Sequence, residues 1–119
     1  MKLVLIVEDN DKNMKLARDV LQVRGYRTLE AATGEDGVRL ALEHKPDLVL
    51  MDIQLPGING VEAFRRIRAN ATTARIPIAA LTASVTPTDR GEIMAAGFDA
   101  FLSKPINLKE FLATVQRLV

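Results

Sequence analysis

The stretch "LVLMDIQLPGING", Leu48 to Gly60, leads an apolar run into a single aspartate and then into a turn. Four apolar residues precede Asp52, and Pro56 and Gly57 follow it within five residues. A short, continuous apolar run is typical of a parallel strand whose sheet is covered by helices on both faces. The stretch therefore predicts a buried strand with a carboxylate at its carboxyl end. The role of that carboxylate depends on which other residues lie beside it.

Short apolar runs alternate with amphipathic stretches along the rest of the chain. The predicted strands are Leu3–Val7, Arg27–Ala32, Asp47–Met51, Ile76–Leu81 and Asp99–Ser103. The predicted helices are one through Met14 to Leu21 with Gly25 after it, one from Thr33 to about His44, one through Val61, Phe64 and Ile67 after a cap at Asn59, one over about 87–96 with Gly97 as its cap, and one after a cap at Asn107. This alternation predicts right-handed crossovers and an α/β fold, a doubly wound five-stranded parallel sheet with five helices.

The composition limits the class of protein. A length of 119 residues fits one domain, so we expect residues 1–119 to form a single unit. The absence of cysteine excludes disulfides and thiolate metal sites. No apolar run approaches the ~20 residues of a membrane span, and the first acidic residues come where a signal peptide would have a cleavage site. We therefore expect a cytoplasmic protein without membrane contact.

The charge pattern does not favour nucleic acid as a partner. The formal net charge is +1, which gives no general attraction to phosphate backbones. Arg65, Arg66, Arg68 and Arg75 cluster around one predicted helix, but no aromatic residues interleave them for base stacking. We interpret these arginines as a solvated face.

Chemically active residues collect at the predicted strand ends. The first strand ends at Glu8 and Asp9, the third at Asp52, the fourth at Thr82 and the fifth at Lys104. In a doubly wound sheet the carboxyl ends share one edge, where ligands bind. Clustered carboxylates without histidine or cysteine suit Mg²⁺. Asp52 is then a candidate nucleophile toward phosphorus, with Thr82 and Lys104 as groups that stabilise phosphoryl oxygens.

Each of these residues has a simpler interpretation when taken singly. Asp52 is also suited to capping a helix, Thr82 to ending a strand, and Lys104 to carrying a solvated charge. Glu8 supports the edge of the sheet as readily as it contacts a metal. Phe101 fits an ordinary core position. It is the combination at one edge that favours the phosphoryl-transfer interpretation.

The segments "VEDN", "LMDIQLPGING", "ALTAS" and "LSKP", in this order and spacing, resemble the receiver domain of bacterial two-component response regulators. The resemblance covers essentially the whole chain. "VEDN…NMKL" and "KPDLVLMDIQLP" are most similar to single-domain cell-cycle regulators of the DivK type. The resemblance implies a flavodoxin-like sheet with strand order 2-1-3-4-5.

The resemblance also implies a metal site and a phosphoacceptor. Asp52 would take a phosphoryl group from a phosphohistidine on a histidine kinase or a histidine phosphotransferase. Asp9 and Asp52 would bind Mg²⁺ directly, together with the backbone carbonyl of Gln54. Glu8 stands where the family more often has aspartate, and it would reach the metal through a water. Gln54 and Ser84 would flank the phosphoacceptor.

Switch residues follow from the same resemblance. Thr82 would be the switch hydroxyl, Phe101 the switch aromatic that turns inward, and Lys104 the partner of the phosphate. The bond before Pro105 would be cis. Phosphorylation would then change the face formed by the fourth helix, fifth strand and fifth helix, where a protein effector binds. We expect a signalling protein that assists its own phosphorylation and dephosphorylation, and no separate enzyme activity.

Several alternatives stay open. The chain is also consistent with a scaffold receiver that is never phosphorylated, or with a receiver excised from a longer regulator with an output domain. An aspartyl-phosphate phosphatase is disfavoured because Gln54 stands where those enzymes have a second acid. A flavin-binding electron carrier is disfavoured because the first loop, "EDNDKN", is acidic where a flavin phosphate needs amides and hydroxyls. His44, the single histidine, does not resemble a phosphodonor.

Overall fold

Strands and helices alternate along the chain in the computed structural model, which describes residues 1–83 and 86–119. The elements are β1 Leu3–Val7, α1 Asp11–Val23, β2 Arg27–Ala31, α2 Gly34–His44, β3 Leu48–Asp52, α3 Gly60–Ala69, β4 Ile78–Thr82, α4 Pro87–Ala96, β5 Ala100–Ser103 and α5 Leu108–Leu118. All strand pairs are parallel, and the sheet order is β2-β1-β3-β4-β5. The predicted α/β class, element order and strand order are confirmed.

The sheet order reverses between β1 and β3, which are hydrogen-bonded neighbours. Successive connections leave this point in opposite directions, so the carboxyl ends of the two strands border a crevice. In the register, Val7 is level with Met51, and Asp52 is level with Leu81 of β4. The residues that follow β1 and end β3 therefore lie side by side at one edge of the sheet.

Two apolar layers cover the sheet. Residues of the central strands alternate between the layers, because successive side chains of a strand point to opposite faces. The layer on the side of α1 and α5 contains Val4, Ile6, Leu21, Leu48, Leu50, Phe111 and Val115. The layer on the side of α2, α3 and α4 contains Leu5, Val7, Val49, Met51, Phe64, Ile67, Ile93 and Phe98. Every residue of β3 is buried, so Asp52 is carried on a strand that is held from both sides.

Each helix begins with a side-chain cap. The caps predicted at Thr33, Asn59 and Asn107 are confirmed, since each side-chain oxygen accepts a hydrogen bond from the backbone N–H three residues on. Asn10 and Thr86 cap α1 and α4 in the same way. Gly25 and Gly97 follow their helices with positive φ, as predicted.

Several strand boundaries differ from the prediction, most of them by one residue. Asp47 lies outside β3, because its carboxylate accepts a hydrogen bond from the Leu3 N–H at 2.8 Å and ties the start of β1 to the β3 entry. Ile76 lies in a turn that closes on Thr73, so β4 begins two residues later and extends to Thr82. Within the described parts of the chain, no helix combines the length and apolar character that crossing a membrane requires.

Candidate functional site

Three carboxylates meet at the carboxyl edge of the sheet. Glu8 and Asp9 directly follow β1, and Asp52 is the last residue of β3. One carboxylate oxygen from each lies within 4.8 Å of the others. Glu8 and Asp52 are 2% and 1% exposed, whereas Asp9 faces solvent. Because hard oxygen ligands converge here with one side open to water, the residues fit a divalent cation such as Mg²⁺.

Lys104 joins the two buried carboxylates. Its Nζ lies 3.0 Å from Asp52 Oδ2 and 3.0 Å from Glu8 Oε2, with Glu8 Oε1 at 3.4 Å. The lysine follows β5, and its backbone N–H donates to the Thr82 carbonyl at 2.8 Å. The bond between Lys104 and Pro105 is cis, as the family resemblance implied. The residue after β5 is thus hydrogen-bonded to the end of β4. The Lys104 ammonium extends past the end of β4 to the acids that follow β1 and end β3.

The electrostatics of the site reflect burial and the shared ammonium. Burial raises the pKa of Glu8; the hydrogen bond from Lys104 opposes this rise, and the nearby Asp52 carboxylate adds to it. Burial acts to lower the pKa of Lys104, but its hydrogen bonds to Asp52 and Glu8 outweigh that effect and raise it. One ammonium thus serves two carboxylates, and the unbalanced negative charge attracts a cation.

Both oxygens of Asp52 have hydrogen-bond donors. Oδ2 accepts from Lys104, and Oδ1 accepts from the backbone N–H of Gln54 at 3.0 Å. The Gln54 side chain is exposed. This arrangement fixes the orientation of the Asp52 carboxylate while the neighbouring residue stays accessible. Whether the Gln54 carbonyl binds metal stays a prediction.

Gly60 holds α3 against the end of β3. Its N–H donates to the Ile53 carbonyl at 3.0 Å, and an added Cβ would lie 2.2 Å from the Asp52 carbonyl oxygen. Gly60 thus lets the start of α3 pack directly on the backbone of Asp52. Gly57 has a φ of 73°, and a Cβ there would meet the Glu35 carboxylate.

Thr82 and Phe101 occupy the same face of the sheet. Thr82 ends β4 and is 1% exposed, one position beyond the level of Asp52. Phe101 is half-buried on β5, level with Ala80, and packs on the layer that contains α4. Its ring is covered by the Arg90 guanidinium at 5.1 Å from the ring centroid. Ser84 lies outside the described residues.

Arg68 is not part of a solvated face, contrary to the prediction. Its guanidinium donates to the Ile76 carbonyl and to Asp99 Oδ2, the latter at 2.7 Å, and lies over the Phe64 ring. Asp99 in turn accepts from the Ile78 N–H at 2.8 Å. Periodicity places Arg68 on α3, but it carries no signal for partners that lie 8 and 31 residues away.

A cavity of about 570 Å³ borders the site between α3 and α4. Its lining includes Gln54 and Thr82 beside the site, Val61 and Arg65 of α3, and Ile93 of α4. Sequence reasoning did not detect this cavity or the Arg90–Phe101 contact, because both depend on how α4 sits on the sheet.

Three comparisons relate the chain to known proteins. Residues 4–116 match the model of the response regulator receiver domain. The polar-differentiation response regulator DivK of Brucella anthropi is 42% identical over 115 residues, covering 97% of this chain and 94% of that protein.

Solved structures agree with this match. The receiver domain of the sensor histidine kinase PA1611 from Pseudomonas aeruginosa, with magnesium coordinated in its active-site cleft, is 38% identical with a TM-score of 0.91, covering 98% of this chain and 96% of that one. The chemotaxis protein CheY4 of Vibrio cholerae is 29% identical with a TM-score of 0.92, covering 100% and 99%.

Proposed function

Because the chain belongs to the response regulator receiver domain family, it is a phosphorelay signalling switch, and we propose that Asp52 is its phosphoacceptor. The observation that carries this proposal is the Lys104 ammonium, which bonds Asp52 and Glu8 at the carboxyl edge of the sheet. Asp52 is oriented by donors on both oxygens, as a nucleophile toward phosphorus requires.

The reaction transfers a phosphoryl group from a phosphohistidine. An Asp52 carboxylate oxygen forms a bond to phosphorus while the phosphorus–nitrogen bond breaks, and the departing imidazole takes up a proton. A Mg²⁺ ion held by Asp9, Asp52 and the Gln54 carbonyl, with Glu8 behind a water, would neutralise charge on the phosphoryl oxygens. Lys104 neutralises the same oxygens from the protein side.

The switch follows from the added charge. A phosphoryl group brings up to about two negative charges. Lys104 exchanges its bond to Asp52 for one to the phosphoryl oxygens, and the Thr82 hydroxyl donates to them. Phe101 follows Thr82 inward. The face formed by α4, β5 and α5 is thereby altered, and proteins that bind this form better are selected.

The proposed partners are a histidine kinase or histidine phosphotransferase as donor and a protein effector at the α4–β5–α5 face. We propose neither a nucleic acid nor a membrane partner. The protein assists its own phosphorylation and dephosphorylation and acts on no separate substrate. We place it in the cytoplasm, where ATP supplies phosphohistidine.

The phosphoacceptor is tested by intact mass after incubation with acetyl phosphate, with and without Mg²⁺. We expect wild-type protein to gain one phosphoryl group in a Mg²⁺-dependent manner and the Asp52→Asn variant to gain none. If folded wild-type protein gains nothing, a phosphohistidine donor is tried next. Failure with both donors contradicts the proposal and favours the scaffold alternative.

A further inference from the structure

Arg90 covers the exposed face of the proposed switch aromatic. It lies in the first turn of α4, and its guanidinium is 5.1 Å from the centroid of the Phe101 ring on β5. The Arg90 side chain is exposed, while Phe101 is half-buried. A guanidinium within about 6 Å of a ring is attracted by its negative face, which at an exposed site amounts to roughly a two- to five-fold effect on an equilibrium constant.

The contact matters because α4 has few other attachments. Ile93 is the only buried residue among positions 88–96 of α4, whereas α3 buries Gly60, Ala63, Phe64 and Ile67. In the described part of the chain, no carboxylate forms an ion pair with Arg90. The contact that the structure shows for this guanidinium is the Phe101 ring.

Geometry connects this contact to Thr82. Side chains alternate along β4, so Thr82 points to the same face as Ile78 and Ala80, which is the face that carries Phe101 and α4. The Arg90 guanidinium lies on the ring in its present position, so movement of the Phe101 ring toward Thr82 alters that contact. Each arrangement of the ring thus has a different energy of interaction with Arg90.

We propose that Arg90 is a positioning residue for phosphorylation of Asp52, because it stabilises the Phe101 arrangement of the unphosphorylated protein. The inference rests on the proposed switch roles of Thr82 and Phe101. Removing the guanidinium favours the inward ring before any phosphoryl group is present. Because the inward form is the one proposed to accept the phosphoryl group, a larger population of it raises the rate of phosphorylation in proportion.

The test compares Arg90→Met with Arg75→Met. Methionine retains a long apolar side chain without charge, and Arg75 is an exposed arginine just before β4, at the opposite edge of the sheet from Asp52. The first readout is NMR of labelled phenylalanine rings, of which the chain has four, with Phe101 assigned from Phe101→Leu. The second is the rate of phosphorylation by acetyl phosphate with Mg²⁺, followed by intact mass.

In Arg90→Met, we expect the Phe101 signals to move toward their positions in phosphorylated wild-type protein and the rate to rise about two- to five-fold. For both the Phe101 signals and the rate, Arg90→Lys should give values between those of wild type and Arg90→Met. Arg75→Met should give the wild-type values. The inference is overturned if folded Arg90→Met gives the Phe101 signals of wild type. It is also overturned if this variant is phosphorylated at the wild-type rate.

The two proposals fail in different ways. If wild-type protein takes no phosphoryl group from any donor, the phosphoacceptor proposal fails by that result alone. The ring signals of the double variant Asp52→Asn, Arg90→Met then still report on the contact. A shift relative to Asp52→Asn supports control of the ring by Arg90, and no shift overturns it.

Discussion

Glu8 stands where the family resemblance implied an aspartate, and its side chain is the longer of the two. Its carboxylate is buried, bonded by Lys104 through both oxygens, and also accepts from the Asn10 N–H at 3.1 Å. The longer side chain therefore reaches the lysine directly. Glu8 acts as a second anchor for the ammonium that also bonds Asp52.

A pH dependence follows from the raised pKa of Glu8. A carboxyl whose pKa is higher in the folded than in the unfolded protein contributes stability that is complete below its ordinary value of 4.5 and is lost as pH rises through the folded value. We therefore expect Glu8→Gln, without Mg²⁺, to raise the urea midpoint at pH 7 and to change it little near pH 4. The amide oxygen introduced by this substitution still accepts a hydrogen bond from Lys104.

The control for this prediction is Glu35→Gln, an exposed carboxylate in the first turn of α2. Glu35→Gln should not raise the urea midpoint at pH 7. A lower midpoint for Glu8→Gln at pH 7 would mean that attraction to Lys104 outweighs the burial of Glu8, and it would contradict the expected sign.

At the scale of elements, Gly60 and Gly91 form a matched pair. A Cβ at Gly60 would lie 2.2 Å from the Asp52 carbonyl oxygen, whereas a Cβ at Gly91 meets nothing within 4 Å. Gly60→Ala should lower the free energy of unfolding by about 1–3 kcal/mol and slow phosphorylation, because α3 or the end of β3 must shift. Gly91→Ala, in the interior of α4, should raise it by about 0.5–1 kcal/mol.

Denaturant unfolding measures both glycine variants, and intact mass after acetyl phosphate measures the rate. Equal effects of the two substitutions would show that helix propensity alone decides the outcome and that the approach of α3 to Asp52 is unimportant. A destabilised Gly60→Ala that is phosphorylated at the wild-type rate would contradict the positioning role of Gly60.

Arg68 and Arg66 give a second matched pair on α3. Arg68 joins α3 to β4 and β5 through Ile76 and Asp99, whereas Arg66 makes an exposed pair with Glu62 one turn away. Arg68→Met should cost about 1.5–3 kcal/mol, since it removes charge-assisted hydrogen bonds. Arg66→Met should cost about 0.3–0.5 kcal/mol.

Urea unfolding of the two arginine variants in 0.1 M and 1 M NaCl checks this prediction. In 1 M NaCl, Arg66→Met and wild type should have the same free energy of unfolding. Arg68→Met should stay less stable than wild type at both salt concentrations. A negligible effect of Arg68→Met would mean that the network does not stabilise the fold.

Elements were predictable where their signals are local. Apolar runs, caps and terminal glycines predict β1 and α4 with the boundaries observed, because these signals act within one turn or strand. The entries to β3 and β4 were less predictable, since side chains of Asp47 and Asp99 replace strand hydrogen bonds there. The end of α2 uses Lys45 with a φ of 46°, where sequence offers no glycine.

For the site, the sequence predicted which residues lie together but not the contacts between their side chains. Glu8, Asp9, Asp52, Thr82 and Lys104 were placed at one edge because topology alone brings strand ends together. The shared ammonium and the cover on Phe101 were not predictable, because they depend on side-chain reach across the sheet.

At the scale of the whole molecule, the acidic edge links cation binding to folding. The unfolded chain has no such cluster, so Mg²⁺ bound at this edge would stabilise the folded state by mass action. We expect Mg²⁺ at 100 times its Kd to raise the free energy of unfolding by about 2.7 kcal/mol. Asp9→Asn should lose most of this gain, whereas Asp36→Asn, an exposed carboxylate on α2, should retain it.

Thermal or urea unfolding over a Mg²⁺ series, with NaCl at matched ionic strength as reference, measures this gain. If Asp9→Asn and Asp36→Asn respond alike to Mg²⁺, the ion binds elsewhere or acts only by screening, and the proposed ligand role of Asp9 is wrong.

The bond between Lys104 and Glu8 joins residues 96 positions apart. A ribosome delivers Glu8 and Asp52 long before it delivers Lys104, so the growing chain carries both acids without their ammonium until β5 has emerged. The ion pairs at this edge of the sheet therefore form only late in translation. A copy that stalls before this strand is made lacks the ammonium that joins the two buried acids.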